Sequence, residues 1–450
     1  MELSKVFHGR NSVLCDFKEE SVLYEKLANT IHIDGKDRLT TLQERVELRD
    51  YKPYFETDSL RRREHNPLGM LLFEVTEQCN LGCSYCIYSG DYVNERTATS
   101  RNMSFTIAKK TINNLIPLSK GNVLMGFYGG EPLLNMGLVT QIMTYSKDHF
   151  PSKEFTFSMT TNFFHGDKHI QEIVDNGVYV NLSLDGSKEV HDKFRKTKAG
   201  SPTHERILSN LRKVEEYCPG YVDSHFFIIS TCHDPNDLEK IVQFFDENNF
   251  FVSRLNGTEK KGKVQNRDSF PLTYDNTHLI KNYQQRVLKN EDPRMLRRIF
   301  DQDLKTISLR DKAIMPEQLM LNGSCYPGKR RIFIDVDGIY HPCERFGSRL
   351  PIGSVEEGLQ QPLIEKYIEK FAKIRNSLCR ECWAQRLCTP CLQYAKDPVG
   401  EISLEGLSQT CEGKRKQLLT ALYNHITLIK LNRSRAEDYV KGINPLFERG

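Results

Sequence analysis

The sequence predicts an α/β fold. An incomplete six-stranded β/α barrel, open at one side, is preceded by a small domain and followed by a cysteine-rich module. Three observations carry this. Between positions 70 and 257, six strand-like apolar runs alternate with amphipathic helices, which implies right-handed parallel crossovers. Six repeats rather than eight leave such a barrel unclosed. The 13 cysteines are unevenly placed, three at positions 79–86 and seven at positions 325–411. Clustered thiols in a reducing compartment are metal ligands or catalytic groups more often than disulfides.

The 450 residues are enough for several domains. A formal charge of +4 lacks the basic excess of a dedicated nucleic-acid binder. No apolar run approaches the ~18 residues of a membrane span. The N-terminal MELSKVFHGRNSV lacks the apolar stretch of a secretory signal. A cytoplasmic protein that engages neither membrane nor nucleic acid is therefore expected.

Residues 1–68 form the first domain, with strands at Ser4–Phe7 and Ser12–Phe17 and a helical stretch near Ser21–Leu27. The Arg61-Arg62-Arg63 run in it reads as solvated surface. The barrel spans 69–257. Its expected strands are Leu71–Thr76, Val123–Tyr128, Phe155–Thr161, Tyr179–Leu184, Ser224–Thr231 and Phe250–Leu255. Its expected helices are Ile107–Leu118, Leu138–Phe150, His169–Asn176, Arg206–Tyr217 and Leu238–Asn248. Chemistry in such folds sits at the carboxyl ends of the strands. A charged, helix-prone bridge covers 258–321, and the cysteine-rich module covers 322–415. There, Arg331–Val336 and Ile339–Cys343 flank Asp337-Gly338, a signal for a tight two-residue hairpin that would draw the Cys325 segment towards Cys343. Residues 416–450 carry Leu418, Leu422, Ile426 and Ile429 at near-helical spacing and read as a helix against the body.

The chemistry begins with Cys79-x3-Cys83-x2-Cys86, just after the first barrel strand. Three thiolates on one loop can bind three irons of a cubane iron–sulfur cluster and leave the fourth without a protein ligand. Zinc sites prefer paired ligands from two places in the chain. The trio resembles the signature of the radical S-adenosylmethionine (SAM) superfamily. The resemblance implies that SAM chelates the open iron through its amino and carboxylate groups. Reductive cleavage then yields a 5′-deoxyadenosyl radical that takes a hydrogen atom from substrate. It also implies that Tyr85 lies near the adenine. Gly129-Gly130-Glu131-Pro132 resembles the family's GGEP motif, which meets the SAM ammonium. Glycines allow close backbone approach there, and a carboxylate complements a cation. Asn162, in Thr160-Thr161-Asn162, and Ser183, in Ser183-Leu184-Asp185-Gly186, resemble segments that hold the SAM ribose and carboxylate. Arg195 resembles the arginine that pairs with that carboxylate.

The second group runs Cys325, Cys343, Cys379, Cys382, Cys388, Cys391 and Cys411. Its spacing closely resembles the SPASM domain of radical SAM enzymes that modify peptides and proteins. This implies two auxiliary 4Fe–4S clusters, three in all. One departure is the two-residue gap of Cys388-Thr389-Pro390-Cys391, where the family has three. By resemblance Cys379, Cys382, Cys388 and Cys411 hold the outer cluster, and Cys325, Cys343 and Cys391 the inner one. Seven cysteines for two cubanes leave one iron open to a substrate thiolate, unless Cys232 supplies an eighth ligand. CYPGKRRIFIDVDGIYHPCERF and CRECWAQRLCTPC further resemble maturases of ribosomally made peptides. These usually install a crosslink, often a thioether, in a precursor that carries a leader. The alternatives are sulfatase-maturating oxidation of Cys or Ser to formylglycine, and a non-catalytic iron–sulfur electron-transfer protein. The partners implied are a precursor peptide, with residues 1–68 as a candidate leader-binding element, and a reductant such as ferredoxin or flavodoxin. Glu344 lies near where sulfatase-maturating relatives carry a proposed base, and a carboxylate out of water can be tuned towards neutral pKa. Cys232-His233 falls at the end of the fifth strand, Cys15 and Cys218 read as packing, and Trp383 as a shield for a cluster.

Overall fold

The computed structural model describes residues 3–17, 21–50, 53–57, 67–92, 96–248, 250–258, 277–309, 312–320, 325–347, 350–397 and 399–442. The Arg61–Arg63 run lies outside them.

Four strands, β1 (Leu3–His8), β2 (Ser12–Phe17), β3 (Ser21–Glu25) and β4 (Thr30–Asp34), form an antiparallel meander in sequence order. The helix expected near Ser21–Leu27 is therefore β3. Successive side chains there point to opposite faces. Leu23 packs with Leu14 and Leu39, whereas Val22 and Tyr24 join the main core. The helix Lys36–Glu47, which the sequence reading did not anticipate, closes the Leu23 face. β5 (Tyr54–Glu56) follows.

The barrel strands are β6 (Met70–Thr76), β7 (Val123–Gly129), β8 (Phe155–Thr161), β9 (Tyr179–Ser183), β10 (Phe226–Cys232) and β11 (Val252–Gly257). Neighbours in sequence pair in parallel along the whole series. Helices Phe105–Leu115, Met136–His149, Ile170–Asp175, His204–Tyr217 and Leu238–Glu247 connect them. Period-two alternation sorts the side chains. Leu71, Phe73, Val75, Met125, Met159, Val180 and Leu182 are fully buried in the main core. Leu72, Leu124, Ser158, Asn181 and Ile229, offset by one, line the interior. The barrel is thus an α/β half-shell with a mixed polar and apolar lumen.

Helices Thr277–Leu288 and Arg294–Ser308 form the bridge, and β12 (Gln318–Met320) pairs in parallel with β5. In the cysteine-rich module β13 (Ile332–Ile334) pairs in parallel with β6, Ile332 opposite Leu71. β14 (Ile339–His341), β15 (Gly353–Ser354) and β16 (Gly358–Leu359) extend the same sheet to ten strands. The module is therefore continuous with the barrel sheet and covers its β6 edge. Its hairpin turn is longer than expected. Gly338 N–H donates to Asp335 C=O at 3.0 Å, and Asp335 Oδ1 accepts from the N–H groups of Asp337 and Ile339. Gly338 sits at φ +80°. This is a three-residue loop ending in a left-handed glycine, the alternative to a two-residue turn. Helix Gln361–Leu378 follows, and a final helix Leu404–Gly442 breaks at Asn432 (φ −164°, ψ 96°). It begins before the expected 416 and lies against the bridge, with Gln284 donating to Asn424 at 3.0 Å. Among the described residues no helix is long and apolar enough to cross a membrane.

Candidate active site

A cavity of about 630 Å³ fills the half-shell, a volume within the range of small-molecule sites. Cys79, Cys83, Cys86, Tyr85, Gly129, Gly130, Asn162, Ser183, Arg195 and Glu344 all line it. The fold thus gathers the barrel candidates on one space, except Glu131 and the Cys232-His233 pair.

Local packing aims the cysteine loop. Glu74 of β6 is 1% exposed, accepts from the Tyr88 hydroxyl and from Val336 N–H, and faces Arg96 Nε at 3.6 Å. Burial pushes the Glu74 carboxyl up to about 7, against the pull of Arg96. Arg96 Nη1 also donates to Glu344 C=O at 2.8 Å. One buried network therefore ties the cysteine loop to the hairpin. Gly129 and Gly130 press against the start of that loop. A Cβ at Gly129, which lies at φ +140°, would come 2.0 Å from Thr76 O, and one at Gly130 would come 2.1 Å from Gln78 O. No side chain fits there.

The three thiols sit close enough to raise one another's pKa. Burial pushes Cys79 up to about 12, with Glu131, Cys86 and Cys83 adding to it. Burial pushes Cys83 up to about 11, and Arg195 opposes it. Among the described residues no three thiol, imidazole or carboxylate groups converge on a single ion position. A cluster distributes one thiolate to each iron, so a spread trio is the donor set it needs. Asn80 Nδ2, beside the trio, is buried without a hydrogen-bond partner among the described residues, while Asn80 Oδ1 accepts from Asn162 Nδ2 at 2.9 Å. That orphaned donor fits an additional acceptor at this end of the cavity.

Other expected contacts differ in detail. Arg195 donates through Nε to Asp185 Oδ2 at 2.9 Å and reaches within 3.9 Å of Cys83 Sγ. Asp185, fully buried, also accepts from the Tyr85 hydroxyl and from Thr231 N–H at 3.0 Å. Asp185 is the hub that fixes Tyr85 and Arg195; its burial could not be read from the motif. Glu131 departs most from expectation. It is 1% exposed, and its carboxylate accepts from the Thr161 hydroxyl (2.5 Å), Asn162 N–H (2.7 Å) and Leu133 N–H (3.1 Å). All three are neutral donors. The side chain braces the end of β8 behind the glycines, and burial raises it to about 7 despite those bonds.

At the other end Arg331 Nη1 donates to both Glu344 oxygens at 2.7 Å. Burial opposes ionisation of Glu344, but Arg331, Arg345 and Arg254 together hold it well below the usual carboxylate range. The expected tuning towards neutrality is reversed, because the sequence does not reveal which cations the fold brings up. Cys232 is 3% exposed, its thiol donates to Asp234 C=O at 3.2 Å, and it does not line the cavity. Its role is packing, as is that of buried Cys15. His233 meets Thr258 Oγ1 at 2.6 Å and stands edge-on to Phe194.

Six of the seven module cysteines fall into two neighbourhoods. Cys411 is raised to about 11 by burial and by Cys379 and Cys382. Cys388 is raised to about 12 by burial, with Cys379 and Cys382 contributing and Arg375 opposing. Cys343 is raised by burial, Glu344 and Cys391. Cys325 is exposed, with Arg330 Nη1 3.6 Å from its sulfur. Trp383 is 1% exposed, stacks on His8 and meets Tyr24 edge-on, so it seats the N-terminal sheet on the module. Lys26 does the same, donating to Arg380 C=O at 3.2 Å.

Comparison with known proteins bears on this arrangement. Residues 73–245 match the Radical SAM superfamily. The chain is 24% identical over 369 residues to the cysteine-type anaerobic sulfatase-maturating enzyme of Clostridium perfringens (strain 13 / Type A), covering 78% of this chain and 95% of that protein. It is 26% identical over 349 residues to the enzyme of the same name from Clostridium novyi (strain NT), covering 74% and 89%. A solved structure of native anSMEcpe with bound AdoMet and Cp18Cys peptide shares the fold, with a TM-score of 0.59 at 21% identity over 84% of this chain and 100% of that one. Residues 73–245 are thus a radical SAM domain, and the chain that carries it is a radical SAM enzyme.

Proposed function

We propose that this enzyme removes a hydrogen atom from a cysteine or serine residue of a peptide or protein and oxidises that side chain, as the names of its relatives suggest for them. The observation that carries the reading is the cysteine loop. Its three thiols line a cavity that Arg331 and Glu344, on either side of the cysteine-bearing hairpin, also line. When bound, a 4Fe–4S cluster on Cys79, Cys83 and Cys86 together with SAM would supply the 5′-deoxyadenosyl radical. Tyr85, Asn162, Ser183 and Arg195 would hold SAM across the strand ends, with Asp185 orienting Tyr85 and Arg195. Glu131 would act one step back, fixing Asn162. Cys379, Cys382, Cys388 and Cys411 would hold one auxiliary cluster, and Cys343 and Cys391 with Cys325 another. A small reductant such as ferredoxin or flavodoxin would deliver the electron.

The second reading, formation of a thioether crosslink in a leader-bearing precursor, rests on the ligand count. Seven module cysteines leave one iron of two cubanes open to a substrate thiolate. The leader would add as a strand to an edge of the N-terminal sheet, β1 or β4. A non-catalytic electron-transfer protein is set aside by the radical SAM domain.

The deciding experiment incubates anaerobically reconstituted, reduced enzyme with SAM and cysteine-containing peptides. It follows 5′-deoxyadenosine and peptide mass. Deoxyadenosine together with a peptide that has exchanged its sulfur for an aldehyde oxygen supports side-chain oxidation. A peptide that has lost a pair of hydrogens but kept its sulfur supports the crosslink instead. No deoxyadenosine under any condition overturns both.

A further inference from the structure

A second cavity adjoins the first at a place remote from the cysteine loop. Three aromatic residues line the main cavity at the amino ends of its last three strands. Tyr179 opens β9, Phe227 is second in β10, and Phe251 directly precedes β11. Their rings form a row, with centroids 6.1 Å apart from Tyr179 to Phe227 and 5.8 Å from Phe227 to Phe251, the last pair edge-on. The barrel strands are parallel, so this row lies at the opposite end from the cysteine loop. Phe251 is 47% exposed, a large aromatic side chain left half in solvent although it lines a cavity. Phe251 and Arg298 also line the second cavity, of about 180 Å³, so the two spaces share walls. The floor of the second cavity is apolar. Phe245 of helix Leu238–Glu247, Val252 of β11 and Met295 of helix Arg294–Ser308 are all buried there, and Phe250 is partly buried beside them. The charged groups around it are matched with opposite charges. Asp292 accepts from Arg294 Nε and Arg297 Nη1, both at 3.2 Å, and Arg297 Nε donates to Asp301 at 3.1 Å. Arg298 lies in the field of Asp301 as well. The space therefore suits an uncharged guest. A dry apolar cavity of about 150 Å³ takes a benzene ring. Aromatic walls and guanidinium groups favour a ring over an aliphatic chain.

We propose that the second cavity is a subsite for an aromatic side chain of the substrate peptide, which passes Phe251 to reach it while the reacting residue lies nearer the cysteine loop. The inference rests on the peptide reading above and deepens it: the preferred substrate carries a phenylalanine-sized ring close in sequence to the residue that reacts. The strands set the spacing. β11 has six residues, so at about 3.3 Å per residue its ends lie about 17 Å apart, which an extended peptide covers in about five residues. Tyr179, Phe227 and Phe251 form an apolar shelf beside the subsite, and covering the exposed part of Phe251 favours binding. Phe251 and Met295 determine specificity, and neither touches the reacting atoms.

Fluorescently labelled peptides of one length, each with a central cysteine in a Gly, Ser and Ala background, test this on the anaerobic holoenzyme with SAM. A single Phe is placed in turn at each of the five positions on either side of the cysteine. A parallel set carries Leu, and a reference peptide carries neither. At one position Phe is expected to tighten binding about tenfold, the order of effect of burying one such side chain, and Leu there should gain less. Phe251→Ala should diminish the advantage. Met295→Ala enlarges the cavity and should shift the preference from Phe towards Trp, a reversal that mere loosening of the fold would not produce. With wild-type enzyme, 4-azidophenylalanine at the preferred position should photolabel residues that line the second cavity. Labelling confined to other residues overturns the assignment even where a variant fails to fold. So does an advantage undiminished in Phe251→Ala. Leu binding as tightly as Phe overturns the aromatic preference. No Phe position better than the reference overturns the subsite and leaves the peptide reading standing. Binding of no peptide, with no deoxyadenosine formed, overturns both.

Discussion

Glu131 and Glu344 are both buried, and both stand at positions the sequence marks as functional, yet the fold treats them in opposite ways. Glu131, behind the cysteine end of the cavity, meets only neutral donors and is pushed up to about 7 by burial. Glu344, at the arginine end, is clasped by Arg331 and held ionised despite comparable burial. Desolvation acts on both, and a cation in contact decides the outcome. The difference teaches that a motif position predicts where a carboxylate sits but not its charge. It also distinguishes the end of the cavity at the cysteine loop from the end where Arg331 pairs with Glu344.

The largest effect separates the two ends outright. Replacing Cys79, Cys83 and Cys86 together with alanine should abolish 5′-deoxyadenosine formation, because no thiolate is left to hold an iron at the cofactor end. Iron and sulfide should persist at the level of the auxiliary sites. Deoxyadenosine formed at the wild-type rate would mean that this end does not host the radical step.

The next sharpens the arginine end. Glu344→Gln should destabilise the fold by on the order of 2 kcal/mol, visible as a lowered midpoint in thermal unfolding. That is less than for a fully orphaned buried charge, since Arg331 is partly solvated. A group whose pKa is depressed in the fold stabilises it above its unfolded value, and the contribution is lost as pH falls. The deficit of the variant should therefore close in acid. A carboxylate held this low cannot supply a kinetic limb near neutrality. The pH–rate profile of the variant should keep the wild-type shape even if its amplitude falls. Loss of a neutral-pH limb in Glu344→Gln would reinstate it as a general base.

Much of the fold was legible in the sequence, for reasons that these two ends illustrate. Each barrel strand lies within two residues of its expected bounds, since a period-two run between helices has few other ways to bury both faces. The cysteine trio was legible because three close thiols after a strand form a donor set, and Asn162, Ser183 and Arg195 only because their segments resemble radical SAM motifs. Local pattern fails where tertiary partners decide. The run Ser21–Glu25 is a strand because β2 and β4 pair on either side of it. The hairpin joins the barrel sheet because β6 offers it a free edge. Arg254, Arg298 and Arg331 are 77 residues apart at the extremes and share no motif, so nothing in the sequence announces that they face one cavity. Asp185 stood in a recognised segment, but its part as the anchor of Tyr85 and Arg195 appears only in three dimensions.

The smallest expected effect tests the cofactor end most directly. In Glu131→Gln one side-chain N–H group must face a donor that Glu131 now accepts from, Asn162 N–H or the Thr161 hydroxyl, so a modest loss of stability is expected at all pH values. Superimposed on it is a pH-dependent part. The Glu131 carboxyl is raised from its ordinary 4.5 to about 7, so its neutral form stabilises the fold fully below 4.5, and that contribution is lost as pH rises through about 7. Glutamine does not titrate. The gap in unfolding midpoint between wild type and variant should therefore narrow as pH rises across this window. SAM affinity should fall only slightly, and by the same factor at each pH, because Glu131 acts by bracing Asn162. Parallel unfolding curves would show that Glu131 does not titrate as its burial requires. A SAM affinity loss that grows above about pH 7 would put the ionised carboxylate in direct contact with the SAM amino group, making the two ends of the cavity alike in using a glutamate as a charged partner.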